Sequence, residues 1–206
     1  MTEVRIGILG GTFNPPHLGH LICAQEAHRQ LGLDTVIFIP AGSPPHKALR
    51  AGDPDASQRY ELCRAATAGD SRFQVSDLEL LREGPSYTAD TLAELHAREP
   101  ESEFFLIVGA DTAVSLPTWH EPERVIALAT LAVAKRRGTT LDAVDEALAK
   151  VDGCEQAEFF QMPRVGISST DIRRRIRARE PVRYLVPDAV ERYIDEYRLY
   201  GDRTDS

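Results

Sequence analysis

Val4-Arg5-Ile6-Gly7-Ile8-Leu9-Gly10-Gly11-Thr12-Phe13-Asn14-Pro15-Pro16-His17-Leu18-Gly19-His20 is the stretch on which the fold turns. Val4 to Leu9 reads as a strand that stops at two glycines. After Asn14-Pro15-Pro16 a helical pattern begins, with Leu18, Leu21, Ile22, Gln25, Ala27 and Leu31 supplying its faces, and Gly32 ends it. Thr35 to Pro40 (TVIFIP) is a continuous apolar run rich in β-branched residues, as expected of a strand covered on both sides. Strand, helix and buried strand make a β-α-β unit.

The same alternation continues outward. A loop rich in Gly, Pro and Ser follows Pro40, and Ser57 is the expected cap of a helix running to about Ala68. Phe73 to Val75 predicts a short strand. Ser86 or Thr88 starts a helix that ends near Arg98, and Glu103 to Val108 (EFFLIV) is a further buried strand ending at Gly109. A helical stretch from Glu123 leads to a strand at Leu131 to Ala134, then a surface helix from Thr140 to Val151 and a strand from Glu158 to Gln161. Helices near Ser169 to Arg177 and Pro187 to Tyr197 finish the pattern. The expected class is α/β, a Rossmann-like doubly wound parallel sheet with C-terminal helices. One domain over 1–206 is expected, its C-terminal helical part at about 168–200, with a tail at 202–206 that frays.

Composition narrows the function. Lys and Arg number 24 against 32 Asp and Glu, a net charge of −8, so the overall field does not favour nucleic acid. Cys23, Cys63 and Cys154 are odd in number and far apart, with no CxxC pair, which predicts reduced thiols. No apolar run approaches the roughly 18 residues of a membrane span, and the start lacks the features of a signal peptide. A cytoplasmic location, no membrane and no nucleic-acid partner are the expectations; a homo-oligomer is left open.

In doubly wound sheets ligands bind beyond the carboxyl ends of the strands, and several polar clusters lie there. Gly10 and Gly11 let a phosphate approach the backbone, and the following helix presents N–H groups and a positive dipole end. His17 and His20 share one side of the first helical turn, with room between them at Gly19. The cluster lacks GxGxxG and GK followed by Ser or Thr. A phosphate site and a plain turn both remain open on these residues alone, and the His pair has no evident third metal ligand. Ile167-Ser168-Ser169-Thr170-Asp171-Ile172-Arg173 offers a second helix start, where hydroxyls cap and an arginine suits phosphate. Asp111 follows the strand ending at Gly109, as a ribose ligand or a capping residue. Trp119, the only tryptophan, precedes His120-Glu121-Pro122-Glu123, a helix start with an early proline. An aromatic plate beside helix N–H groups would suit a planar ring bearing a carboxylate.

GGTFNPPHLGH closely resembles the HxGH region of the bacterial nicotinate-nucleotide adenylyltransferases, in the nucleotidyltransferase superfamily. ISSTDIR matches that family's ISSTxIR. PPHK at 44–47, PSYTADTL at 85–92, the Gly-x-Asp to Trp segment at 109–119 and AKRRG at 134–138 are similar to further family segments, so the resemblance runs from Val4 to Tyr200. One position departs from the pattern. Asn14 stands where the family has Asp, keeping size and hydrogen-bonding reach but losing the charge.

The resemblance implies roles residue by residue. His17 and His20 would bind the ATP triphosphate and stabilise charge at the α-phosphorus, with Lys47 and Arg173 as further catalytic cations. Gly10, Gly11, Thr12, Phe13, Gly19, Gly109, Asp111, Ile167, Ser168, Ser169 and Thr170 would line the nucleotide. His46, Thr88, Trp119, His120 and Arg136 would meet the acceptor. Arg59 resembles a family arginine, with a purely structural part as the alternative. The implied reaction joins ATP and nicotinate mononucleotide into deamido-NAD and pyrophosphate, with Mg²⁺ on the phosphates. Nicotinamide mononucleotide or another phosphate acceptor is the alternative. A non-catalytic nucleotide binder ranks below both.

Overall fold

The computed structural model describes residues 3–44, 50, 52–136 and 141–201. One six-stranded sheet has the order β3-β2-β1-β4-β5-β6, formed by β1 (Val4–Gly11), β2 (Thr35–Pro40), β3 (Phe73–Val75), β4 (Ser102–Gly109), β5 (Thr130–Arg136) and β6 (Glu158–Met162). β1 with β4, β4 with β5 and β5 with β6 pair in parallel. The order reverses between β1 and β4, the switch point of a doubly wound sheet. Helices are α1 (Leu18–Leu31), α2 (Ala56–Thr67), α3 (Thr88–Arg98), α4 (Ala110–Ala113), α5 (Pro122–Leu128), α6 (Asp142–Leu148), α7 (Ser169–Arg177) and α8 (Asp188–Glu196). No helix among the described residues is long and apolar enough to cross a membrane.

Internal contacts group the chain into two compact units. The first comprises Met1–Gly10, Ile22–Ile37 and Tyr87–Arg164; the second comprises Gly11–Leu21, Phe38–Ser86 and Val165–Ser206.

In the first unit the parallel strands are apolar on both faces because helices cover both. Ile6, Ile8, Phe104 to Val108 and Leu131 to Ala134 are buried. Gly7 is needed for this closeness, since a Cβ there would sit 2.7 Å from Leu33 Cδ1 and 2.9 Å from Ile107 Cδ1. Burial stops at the strand ends, where Gly10 and Gly109 are exposed. Gly109 is the N-cap of α4, a short helix that the sequence pattern did not reveal. α6 is shorter than the predicted surface helix, and the predicted start at Thr140 lies outside the described residues.

The second unit has its own core. Leu62 and Ala66 of α2 pack with Ile172 of α7, Val190 and Ile194 of α8, and Val182, Val186, Leu199 and Tyr200. Asp55, rather than Ser57, caps α2. Its side chain accepts from Gln58 N while its backbone N–H donates to Gln58 Oε1, a reciprocal capping box. Asp55 wins because it alone stands three residues before a side chain able to reciprocate.

Cys23, Cys63 and Cys154 are free and buried. Burial pushes the Cys63 thiol well above its ordinary range, so it is inert as a nucleophile.

Candidate active site

The sharp turn after β1 falls at Phe13 (φ 47°), not at the two glycines. Gly10 and Gly11 remain strand residues. A Cβ on Gly10 would meet open space, whereas one on Gly11 would lie 3.3 Å from the Phe13 ring. A bulky residue in the left-handed region is costly and persists only where its surroundings hold it. Phe13 is held by its buried ring, tilted against Phe38 at 5.7 Å and edge-on to His20 at 5.0 Å.

His17 and His20 come together. Their rings stack with centroids 3.8 Å apart, and His17 N donates to His20 Nδ1 at 3.1 Å. The space that Gly19 leaves is taken up by His17, whose ring atoms would be 3.0 Å from a Cβ there. Two N–H groups at the head of α1 are already used, His17 N by His20 and Leu18 N by Leu185 O. The anion-binding capacity of this helix end is correspondingly reduced, and more of the task falls on side chains.

His17 is buried, and desolvation lowers its pKa to about 4. Near neutral pH it is an uncharged imidazole, a hydrogen-bonding group rather than a standing positive charge. Its Nδ1 and the Oδ1 of Asn14 are buried without a partner among the described residues. Polar atoms left unpaired inside a protein carry a desolvation cost, which a ligand can relieve.

The start of α7 closes on the same loop. Ser168 is its N-cap, accepting from Asp171 N at 3.1 Å. Ser169 Oγ donates to Pro15 O at 2.8 Å, and Arg173 Nη1 donates to Asn14 O at 2.7 Å. Arg173 Nη2 also reaches Thr170 Oγ1 at 3.3 Å. Ser169 and Arg173 therefore hold the loop carbonyls, and Arg173 keeps further N–H donors from its five for an anion. The arginine run beyond is largely neutralised. Arg174 pairs with Asp171 and Glu180, Arg175 with Asp171, and Arg177 with Asp53.

Arg59 lies beneath this loop, fully buried. It donates to Thr12 O at 3.0 Å and to Gly42 O at 3.2 Å, while burial lowers its pKa. These bonds fix backbone, in keeping with the structural alternative that the sequence left open.

In the first unit a second group forms. Tyr87, the N-cap of α3, packs its ring at a tilt of 30° against His120 with centroids 4.2 Å apart. Thr88 begins α3 and is partly exposed. Neither Ser86 nor Thr88 caps the helix; Ser86 Oγ instead accepts from Ser43 N at 3.1 Å, within the second unit. Trp119 is half-buried and donates from Nε1 to Ser115 Oγ at 3.1 Å. Glu121 (φ 50°) caps α5 by its backbone and pairs with Arg124 at 2.7 Å, and Arg124 also reaches Asp90 at 3.3 Å. Both Glu121 and its partner Arg124 thus stand at the head of this seven-residue helix, where the sequence pointed to an acceptor carboxylate. Asp111 is exposed in the first turn of α4. His46, Lys47 and the side chain of Arg136 lie outside the described residues.

A cytidylyltransferase-like family model matches residues 8–175. A probable nicotinate-nucleotide adenylyltransferase of Desulfitobacterium hafniense is 42% identical over 198 residues, 95% of each chain. One from Shouchella clausii is 41% identical over 98% of this chain and 99% of its own. The chain belongs to this family. The nicotinic acid mononucleotide adenylyltransferase of Plasmodium falciparum, solved in complex with NaAD, superposes with a TM-score of 0.77 at 17% identity, over 96% of this chain and 98% of that one. At that identity the likeness concerns the fold.

As a nicotinate-nucleotide adenylyltransferase, the chain carries two residues at its candidate site that sequence reasoning passed over. Tyr87 lies within the quoted PSYT segment, but nothing local reveals its ring partner 33 positions on. Asp53 lies in a polar loop and binds Asn14 across 39 positions. Tyr87 stood inside a motif that drew attention to Thr88 instead, and Asp53 has no periodic or motif signal.

Proposed function

We propose that this chain transfers the adenylyl group of ATP to the phosphate of nicotinate mononucleotide. A phosphate oxygen of the acceptor attacks the α-phosphorus in line, the bond from that phosphorus to the β-phosphate oxygen breaks, and pyrophosphate leaves. The acceptor phosphate is already ionised near neutral pH, so no protein base is required. Catalysis then rests on positioning and charge stabilisation.

The observation that carries this reading is the stacked His17–His20 pair, in the same unit as Ser169 and Arg173, both bonded to the loop just before it. The backbone of Gly10 to Phe13 and of Gly19 would border the nucleotide. His20, with Nδ1 accepting from the backbone, directs its ring proton to Nε2, the atom proposed to donate to phosphate. Ser168, Ser169, Thr170 and Arg173 are proposed to bind the leaving phosphates, with Ile167 beside them and Lys47 adding charge, while His46 is proposed for the acceptor. Gly109 and Asp111 are proposed for the nucleotide, and Thr88, Trp119, His120 and Arg136 for the acceptor.

Mg²⁺ would neutralise charge on the phosphates. No group of three His, Cys, Asp or Glu side chains among the described residues could hold a metal. That donor set fits an ion carried in on ATP rather than one caged by protein. The arginines of α7 are paired within the chain, which supports a small anion rather than nucleic acid as partner, and a cytoplasmic place for the enzyme accords with its reduced thiols.

The test is pyrophosphate release with ATP and Mg²⁺, comparing nicotinate with nicotinamide mononucleotide. Turnover with the nicotinate form alone is expected. Equal turnover with the amide would keep the chemistry and overturn the acceptor assignment; none with either would overturn both.

A further inference from the structure

Asp53 of the second unit uses both carboxylate oxygens as acceptors. Its side chain is only 4% exposed. Oδ2 accepts from Asn14 Nδ2 at 3.0 Å and from Arg50 N at 3.1 Å, while Oδ1 accepts from Arg177 Nη2 at 3.1 Å. The residue before it, Gly52 (φ 85°), accepts from Tyr200 N at 3.1 Å through its carbonyl. This short segment thus ties together the loop after β1, the last turn of α7 and the residue closing the core.

The consequence falls on Asn14. An amide has two distinguishable ends, and a carboxylate accepts but cannot donate. Asp53 therefore selects one orientation of the Asn14 amide, with Nδ2 toward itself and Oδ1 away. That Oδ1 is the buried acceptor without a partner among the described residues. The backbone carbonyl of the same residue receives Arg173 Nη1 at 2.7 Å, and the next carbonyl receives Ser169 Oγ. Any shift at position 14 is therefore passed to two side chains assigned above to the ATP phosphates. A carboxylate at position 14 would face Asp53 at about this separation, and two acids so close cannot both ionise without large cost.

We propose that Asp53 is a positioning residue for the ATP-phosphate site, acting through Asn14, and that the two form a matched amide–carboxylate pair whose members can be exchanged. The carboxylate absent from position 14 is present at position 53, where Arg177 compensates it. This rests on the assignment of the phosphate site made above.

The experiment is a double-mutant cycle on the full chain with Asn14→Asp, Asp53→Asn and the reciprocal pair. Two readouts are taken, calorimetric affinity for a non-hydrolysable ATP analogue with Mg²⁺, and steady-state kinetics with ATP and nicotinate mononucleotide. Far-ultraviolet dichroism and melting check that each variant folds. Asn14→Asp is expected to weaken analogue binding by roughly tenfold or more, within the coupling range of contacting polar pairs. Asp53→Asn should weaken it less, since an Asn–Asn pair can still bond. The exchanged pair should recover to within about threefold of the parent, with KM for ATP following and KM for the mononucleotide unmoved. Losses that simply multiply in the exchanged pair, or an Asn14→Asp protein that binds normally, would overturn the pairing. An Asn14→Asp chain that does not fold leaves the exchanged pair as the deciding measurement, because its folding and binding still report recovery or its lack. Were the parent to bind the analogue yet fail to turn over with the mononucleotide, the acceptor assignment would fall while the binding cycle still judged this pair.

Discussion

His17 and His20 are joined twice, by rings stacked at 3.8 Å and by a bond of 3.1 Å from the His17 backbone N–H to His20 Nδ1. The two imidazoles are consequently not equivalent. His20 is oriented by an acceptor bond at one nitrogen, while His17 is a buried neutral ring whose Nδ1 is unpaired among the described residues.

This asymmetry predicts that His20→Ala loses on the order of 10²–10³ in kcat, the scale for removing one donor aimed at developing charge. Rapid-quench or steady-state pyrophosphate assays on folded variant decide it. A near-normal kcat would remove His20 from the chemistry.

Burial also makes His17 a source of acid sensitivity. Its pKa is about 4 in the folded chain against an ordinary 6.5, so the unfolded chain binds the extra proton between those values. Stability from this group is complete above about pH 6.5 and is lost as pH falls toward 4, by up to about 3 kcal/mol before screening. Urea unfolding of the ligand-free protein at a series of pH values should show this slope, and His17→Gln should flatten it. An unchanged slope in the variant would place the acid sensitivity elsewhere.

Arg59→Ala should be among the most destabilising single changes. It leaves the carbonyls of Thr12 and Gly42 without their donors and opens a cavity at a fully buried site. A loss of about 3 kcal/mol or more is expected in chemical denaturation. Arg59→Lys should recover only part, since one ammonium does not reproduce the planar fork.

Gly42→Ala is expected to destabilise by about 1–3 kcal/mol or more, because the new methyl would run into the backbone carbonyl of Glu79, which has little freedom to withdraw. Gly10→Ala meets nothing within 4 Å and should leave ligand-free stability within about 0.5 kcal/mol. Melting curves of both variants, measured without ligand, test the contrast.

The sequence by itself determined the alternation of strands and helices. β3 falls at Phe73–Val75 and α7 at Ser169–Arg177, the ranges that periodicity and capping chemistry imply. Those signals are local: apolar period, glycine stops and hydroxyls before a helix are each read within a few residues. The motif that draws attention to His17 and His20 is local too. Tertiary structure alone decided the ionic state of His17, since desolvation depends on what covers the ring. It also decided that Phe13 rather than a glycine makes the turn, because a ring held by Phe38 and His20 outweighs intrinsic backbone preference. The union of Asn14 with Asp53 belongs to the same class. Charge and hydrogen bonding act through space, and a pairing across 39 positions leaves no periodic trace in the chain that makes it.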